Sequence, residues 1–235
     1  MKPTIVLALS GGLDSTVLLA HYLAMNNKIH CCIFNYNSKH NKYENAAAYN
    51  VISYYNKHLQ NDQISHEYID LSNVFTNFKS NLLKSGDDIP DGDYERSSLI
   101  KTVVPGRNLI MASIMAGIAE SNSAVGIALG VHSGDHELYP DCRPAFIIDL
   151  RQTIYQSTEG KLGVYAPFLY YVKGYIIKHA KGDILTHTGI DVPFHLTRTC
   201  YKDQEIACGT CGSCKERLKA FDRAGYVDPI EYEGV

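Results

Sequence analysis

The apolar run Thr4 to Leu9 leads directly into Ser10-Gly11-Gly12-Leu13-Asp14-Ser15, and the helix-like stretch Asp14 to Met25 follows at once. A buried strand that turns through two adjacent glycines into a helix is the opening unit of an α/β fold, and it excludes all-β and simple bundle architectures. The glycines allow positive φ and let backbone N–H groups come close to an anion. The helix start adds unpaired amides and the positive end of its dipole, and Ser10, Ser15 and Thr16 add hydroxyl donors. The segment Leu9, Ser10, Gly11, Gly12, Leu13, Asp14, Ser15 and Thr16 is therefore the candidate phosphate loop, with a geometry suited to pyrophosphate. It is neither a GxxxxGK[ST] loop nor a GxGxxG dinucleotide loop.

The strand–helix rhythm continues beyond this unit. Ile29 to Phe34, Ile64 to Leu71, Ala124 to Leu129 and Gly163 to Ala166 read as strands. His40 to His58, a stretch opened by Pro105-Gly106 and running to Ala119, Cys142 to Gln156 and Val172 to Ala180 read as helices. The expected architecture is a Rossmann-like parallel sheet of about five strands flanked by helices. Lys79 to Thr102, rich in Gly and Asp, breaks the rhythm and reads as a functional loop or lid rather than core. The division expected is 1–195 for the nucleotide-binding domain and 196–235 for a small C-terminal region packed on it.

Composition bounds the partners. The 235 residues carry a net charge of −3, so nothing in the balance points to nucleic acid or an anionic membrane. The longest apolar-leaning run, Leu109 to Ala119, falls short of the roughly 18–20 residues of a bilayer span. The N-terminal stretch meets glycines and Asp14 without a cleavage-site pattern, so a cytoplasmic protein is expected.

Seven cysteines are an odd number for a disulfide framework, and four of them, Cys200, Cys208, Cys211 and Cys214, fall close together. Four thiolates with CxxC spacing suit tetrahedral zinc at a closed, structural site. Cys31, Cys32 and Cys142 are read as plain buried thiols.

Ser-Gly-Gly-x-Asp-Ser resembles the loop of the PP-loop, or N-type, ATP pyrophosphatases. With the cysteine cluster, the chain resembles one family of that group, the 7-cyano-7-deazaguanine synthases (QueC). Further blocks carry the likeness: Phe34-Asn35-Tyr36 with His40, Val104 to Asn108, Gly130-Val131 with Asp135, Tyr139 to Arg143 with Phe146, and Thr199 to Tyr201 with Arg217. The resemblance implies an adenine nucleotide alpha hydrolase-like fold and a ligase that adenylates 7-carboxy-7-deazaguanine with ATP. Ammonia would then give the amide, and a second ATP the nitrile preQ0, a precursor of queuosine.

In that frame Mg²⁺ bridges the ATP phosphates, and Asp14 is a candidate for orienting the metal shell. Arg107 and Lys173 are candidate charge partners for pyrophosphate or the substrate carboxylate. Asp135 and Asp141 are candidate acceptors for the guanine edge, and Tyr36, His40, Tyr139 and Arg143 are further substrate-site candidates. The chain departs from the family pattern at Ser38-Lys39 (commonly Gln-Arg), at His132-Ser133-Gly134 (commonly Cys-Glu-Thr) and at Tyr175 (commonly Glu). Those departures raise an alternative, a QueC-like enzyme that conjugates the acyl group to an amine of a protein or nucleic acid, for example in antiviral defence. A tRNA-modifying PP-loop enzyme is the other alternative, and the acidic balance and short tail weigh against it. The partners expected are the deazaguanine substrate and ATP, with no membrane and no nucleic acid. A homodimer and, for a conjugating variant, a protein acceptor are the remaining partner readings.

Overall fold

The computed structural model describes residues 2–59, 63–92 and 99–233. Its core is a five-stranded, all-parallel sheet in the order β3-β2-β1-β4-β5. The strands are β1 (Thr4–Ala8), β2 (Lys28–Asn35), β3 (Ile64–Asp70), β4 (Gly126–Ala128) and β5 (Gly163–Tyr165). The expected parallel α/β sheet of about five strands is what the chain forms. β1 lies at its centre, with Ile5, Val6 and Leu7 all buried, as a strand covered on both faces requires.

Seven α-helices lie among the described residues: α1 (Leu13–Ala24), α2 (Asn41–His58), α3 (Arg107–Ser121), α4 (Pro144–Ser157), α5 (Lys173–His179), α6 (Leu185–Thr188) and α7 (Gly212–Ala224). Apolar residues of α3 and α4, among them Met111, Met115, Ile147 and Leu150, form one core layer with Val6 and Ile127. The opposite layer joins Ile5, Leu7 and Ile33 to α1, α2, α5 and α7.

Several expectations shift for identifiable reasons. The helix expected from Cys142 begins at Pro144, because Arg143 is extended (ψ 152°) ahead of that proline, and residues 140–142 form a separate short turn. The helix expected to stop at Ala180 passes through a π-helical turn, Ala180–Ile184, into α6, so Gly182 does not break it. In the cysteine-rich tail, sequence reading missed α7, a mostly polar helix whose Ala220, Phe221 and Ala224 are buried.

The stretch expected to be a loop or lid rather than core also buries Leu82, Leu83 and Leu99. Its residues 93–98 lie outside the described residues. Ile100–Ser121 is the one segment among the described residues long and apolar enough to cross a membrane, contrary to the shorter run expected. In the fold its α3 portion buries Met111, Ala112, Met115, Ala116 and Ala119 in the core beside the sheet.

The tail is locked by Arg217, which is fully buried. Its guanidinium donates to both oxygens of Asp228 at 2.8 and 2.9 Å, to Thr197 Oγ1 at 2.6 Å, to Thr199 Oγ1 at 3.1 Å and to the Phe194 carbonyl at 3.1 Å. Phe221, one turn further along α7, meets the Phe194 ring edge-on at 5.3 Å. Arg217→Met would leave the Asp228 carboxylate buried without its cation, so we expect a loss of about 3–5 kcal/mol, read as a lower urea midpoint at unchanged slope.

Candidate functional site

In this strand order the chain departs from β1 toward β2 on one side and toward β4 on the other. Open α/β sheets bind ligands in the crevice at such a switch point, beyond the carboxyl ends of the strands. The loops after β1 and β4 line a crevice there, closed by Lys173 of α5 and by the segment Arg198 to Tyr201.

The phosphate loop forms its first wall. Gly11 has φ of +72°, and a Cβ on it would lie 2.5 Å from the Ala48 backbone nitrogen and 2.7 Å from the Glu44 carbonyl. α2 therefore packs directly against the loop, and only glycine fits there. The Gly11 carbonyl accepts from Arg198 N–H at 2.8 Å, which ties the loop to the C-terminal segment. α1 starts at Gly12 without a side-chain cap, leaving its first-turn amides available to an anion. Ser10 and Ser15 hydroxyls lie 3.1 Å apart at the loop mouth.

Twelve of the residues picked out in the sequence line this one crevice: Leu9, Ser10, Gly12, Leu13, Asp14, Ser15, Tyr36, His40, Arg107, Asp135, Tyr139 and Lys173. Four others do not line it. Gly11 acts through the backbone packing just described, and Thr16 is fully buried behind the loop. Asp141 accepts from the Asn108 N–H at 2.9 Å, so its carboxylate serves the start of α3. Arg143 donates through Nε to the His136 carbonyl at 2.8 Å, bracing the loop that carries Asp135.

The crevice has two chemically distinct ends. At the phosphate loop, the Asp14 carboxylate lies 3.4 Å from Lys173 Nζ and 3.6 Å from His132 Nε2. Burial alone would raise the Asp14 carboxyl, but Lys173 and His132 hold it well below the usual carboxylate range. Burial would lower the Lys173 ammonium, and Asp14 and Glu216 raise it instead, so the pair is ionised. Burial would lower the His132 imidazole, and Asp135 and Asp14, facing its Nε2 at 3.4 and 3.6 Å, raise it instead to about 9.

At the far end, Arg107 stands 5.5 Å over the Tyr36 ring and donates to its hydroxyl at 3.5 Å. Tyr139 and Tyr201 share a hydroxyl contact of 3.2 Å beside it, and Tyr201 lies against the His40 ring at 5.5 Å. Among the described residues no carboxylate is in ion-pair range of Arg107. Cys32, Phe34, Met111 and Cys142 complete an apolar and aromatic wall.

Sequence reading missed His132, Glu216, Arg198, Thr199 and Tyr201 as site residues. His132 sits inside the Gly130-to-Asp135 block, and Thr199 and Tyr201 flank the first clustered cysteine, so those three carried a signal. Arg198 and Glu216 carried none, because their places depend on how the tail folds back. Of the departures from the family pattern, Ser133 donates to the Tyr171 carbonyl at 2.7 Å, and Tyr175 is half exposed.

Below the crevice, Cys200, Cys208, Cys211 and Cys214 are all buried, with their sulfurs within 4.8 Å of one another. The Cys200–Cys208 and Cys208–Cys214 separations of 3.6 and 3.9 Å are far beyond a disulfide. They match the edge of a tetrahedron around one ion with metal–sulfur bonds of about 2.3 Å. The N–H groups of Cys208 and Cys211 point at the sulfurs of Cys200 and Cys208, which favours thiolates. The four-cysteine set thus fits zinc. Thr210 and Lys202 both reach Asp91 at 2.7 Å, stitching the knuckle to the 79–92 stretch.

A glycine loop at the end of the central strand, an uncapped helix start and a crevice at the switch point define an α/β nucleotide-binding protein of the PP-loop class. The family described as "Queuosine biosynthesis protein QueC" matches residues 4–225, and the chain belongs to that family. It is 37% identical over 236 residues to the 7-cyano-7-deazaguanine synthase of Pseudoalteromonas atlantica, covering 99% of this chain and 100% of that one. To the protein of the same name from Desulfotalea psychrophila it is 38% identical, covering 97% of each. The relative from Methanoregula boonei, again a 7-cyano-7-deazaguanine synthase, is 37% identical, with 97% of this chain and 98% of that one covered.

Two outcomes follow from this geometry. Gly11→Ala forces a side chain into the α2 backbone at a left-handed φ, so ATP binding measured by calorimetry should be abolished. Purified protein should release one zinc per chain on thiol titration, and Cys211→Ser should lower that stoichiometry.

Proposed function

We propose that the protein is an ATP-dependent carbon–nitrogen ligase that converts 7-carboxy-7-deazaguanine and ammonia into 7-cyano-7-deazaguanine (preQ0). The observation that carries this reading is that a glycine loop at an uncapped helix start and a half-buried arginine within a tyrosine cluster share one crevice. ATP lies with its phosphates on Ser10 to Ser15 and the start of α1, where Lys173 adds a positive charge beside Asp14. Bound Mg²⁺ would offset the remaining phosphate charge, and Cys200, Cys208, Cys211 and Cys214 would hold a structural zinc that pins the tail closing the crevice.

The heterocycle fits the wall of Phe34, Tyr36, Met111 and Tyr139, with its carboxylate on Arg107 and its guanine edge toward Asp135. A carboxylate oxygen then attacks the α-phosphorus, and pyrophosphate leaves toward Lys173. Ammonia attacks the acyl carbon, and AMP leaves with the displaced oxygen to give the amide. The amide oxygen attacks a second ATP in the same way. Loss of AMP with that oxygen, and of the remaining nitrogen protons, gives the nitrile. The apolar wall serves both rounds by keeping water from the adenylates.

Incubation with ATP, ammonia and the carboxylate should yield nitrile by mass spectrometry without any partner protein; absence of both amide and nitrile would refute the reading. Arg107→Met should lower kcat/KM for the carboxylate about tenfold or more, the scale of one lost charge-assisted hydrogen bond.

A further inference from the structure

Glu216 is placed where an ordinary helix-surface glutamate would not be. It lies in the first half of α7, with a side chain only 15% exposed, and its Oε2 meets Lys173 Nζ in a close ion pair. Two glycines make room for this contact. A Cβ on Gly134 would come to 3.1 Å from Glu216 Oε1, and a Cβ on Gly174, next to Lys173, to 3.2 Å from the Ala220 carbonyl of α7. The loop after β4 and α5 both close onto α7 at positions without side chains.

Lys173 is thereby held from two sides. Asp14 of the phosphate loop lies 3.4 Å from the ammonium, and Glu216 holds it from the α7 side. A lysine has a flexible four-carbon stem, and one ion pair does not fix where its charge sits. Two carboxylates from different elements do.

We infer that Glu216 is a positioning residue for Lys173, fixing the ammonium at the phosphate loop so that it meets the departing pyrophosphate. This rests on the adenylation reading above. Phosphate oxygens entering the crevice compete with Asp14 for the ammonium, and Glu216 keeps Lys173 from being drawn out of line. Glu216 acts only through Lys173 and touches neither ATP nor the carboxylate.

The test is carboxylate-dependent exchange of labelled pyrophosphate into ATP, with zinc content and thermal midpoint followed in parallel. Wild-type exchange is expected, and its absence would sink the adenylation reading rather than this inference. Given exchange, Glu216→Gln should lower the maximal rate roughly ten- to hundredfold, the scale of a misplaced reacting group, with KM for ATP within about twofold. Lys173→Met should show a similar loss, and the double variant should be no worse than Lys173→Met alone. Glu216→Asp keeps the charge and should recover part of the rate. If Glu216→Gln folds poorly, the Asp variant measured with and without Lys173→Met carries the same comparison. Full activity in Glu216→Gln, or losses that multiply in the double variant, would overturn the inference.

Discussion

The approach of α2 to the backbone of Gly11 is the constraint on which the site depends. With no Cβ there, the helix settles onto the turn, the turn stays tight enough to expose the first amides of α1, and the Gly11 carbonyl faces Arg198. A single methyl group at that point would push against backbone atoms of two residues in α2, and neither can move without unseating the helix from the sheet. The loop is therefore held from outside by packing as well as by its own hydrogen bonds, with the first amides of α1 left uncapped.

How much of this could be read from the sequence depends on how local each determinant is. The phosphate loop, the parallel sheet and the cysteine set were legible because each is written in contiguous residues: an apolar strand before paired glycines, β-rich runs alternating with helical ones, thiols at CxxC spacing. Helix ends were read less well, since the boundary at Pro144 depends on how proline restricts the residue before it. Asp141 and Arg143 stood in a suggestive block, yet they serve the start of α3 and the loop after β4. Their neighbour Tyr139 does line the crevice, and nothing in the spacing separates the two kinds of residue.

The harder omission was the tail. α7 has a weak apolar signature because its buried face includes Cys214 and Arg217, with Glu216 partly buried beside them, residue types normally read as polar surface or metal ligands. Each is accounted for by a partner outside the helix: the other thiols, Lys173, and the Thr197–Asp228 pocket. Long-range pairing of charged groups leaves no periodic trace, so neither Glu216 nor Arg198 could be found without the fold.

The bond between Arg198 N–H and the Gly11 carbonyl has a consequence in time. The phosphate loop is made on the ribosome well before Arg198, the cysteine knuckle and α7, which emerge long afterwards. A nascent chain can form β1, the glycine turn and α1 early, yet one wall of the crevice is missing until the tail folds back. The crevice is thus completed by the order of synthesis only once the tail has been made and has packed against the loop.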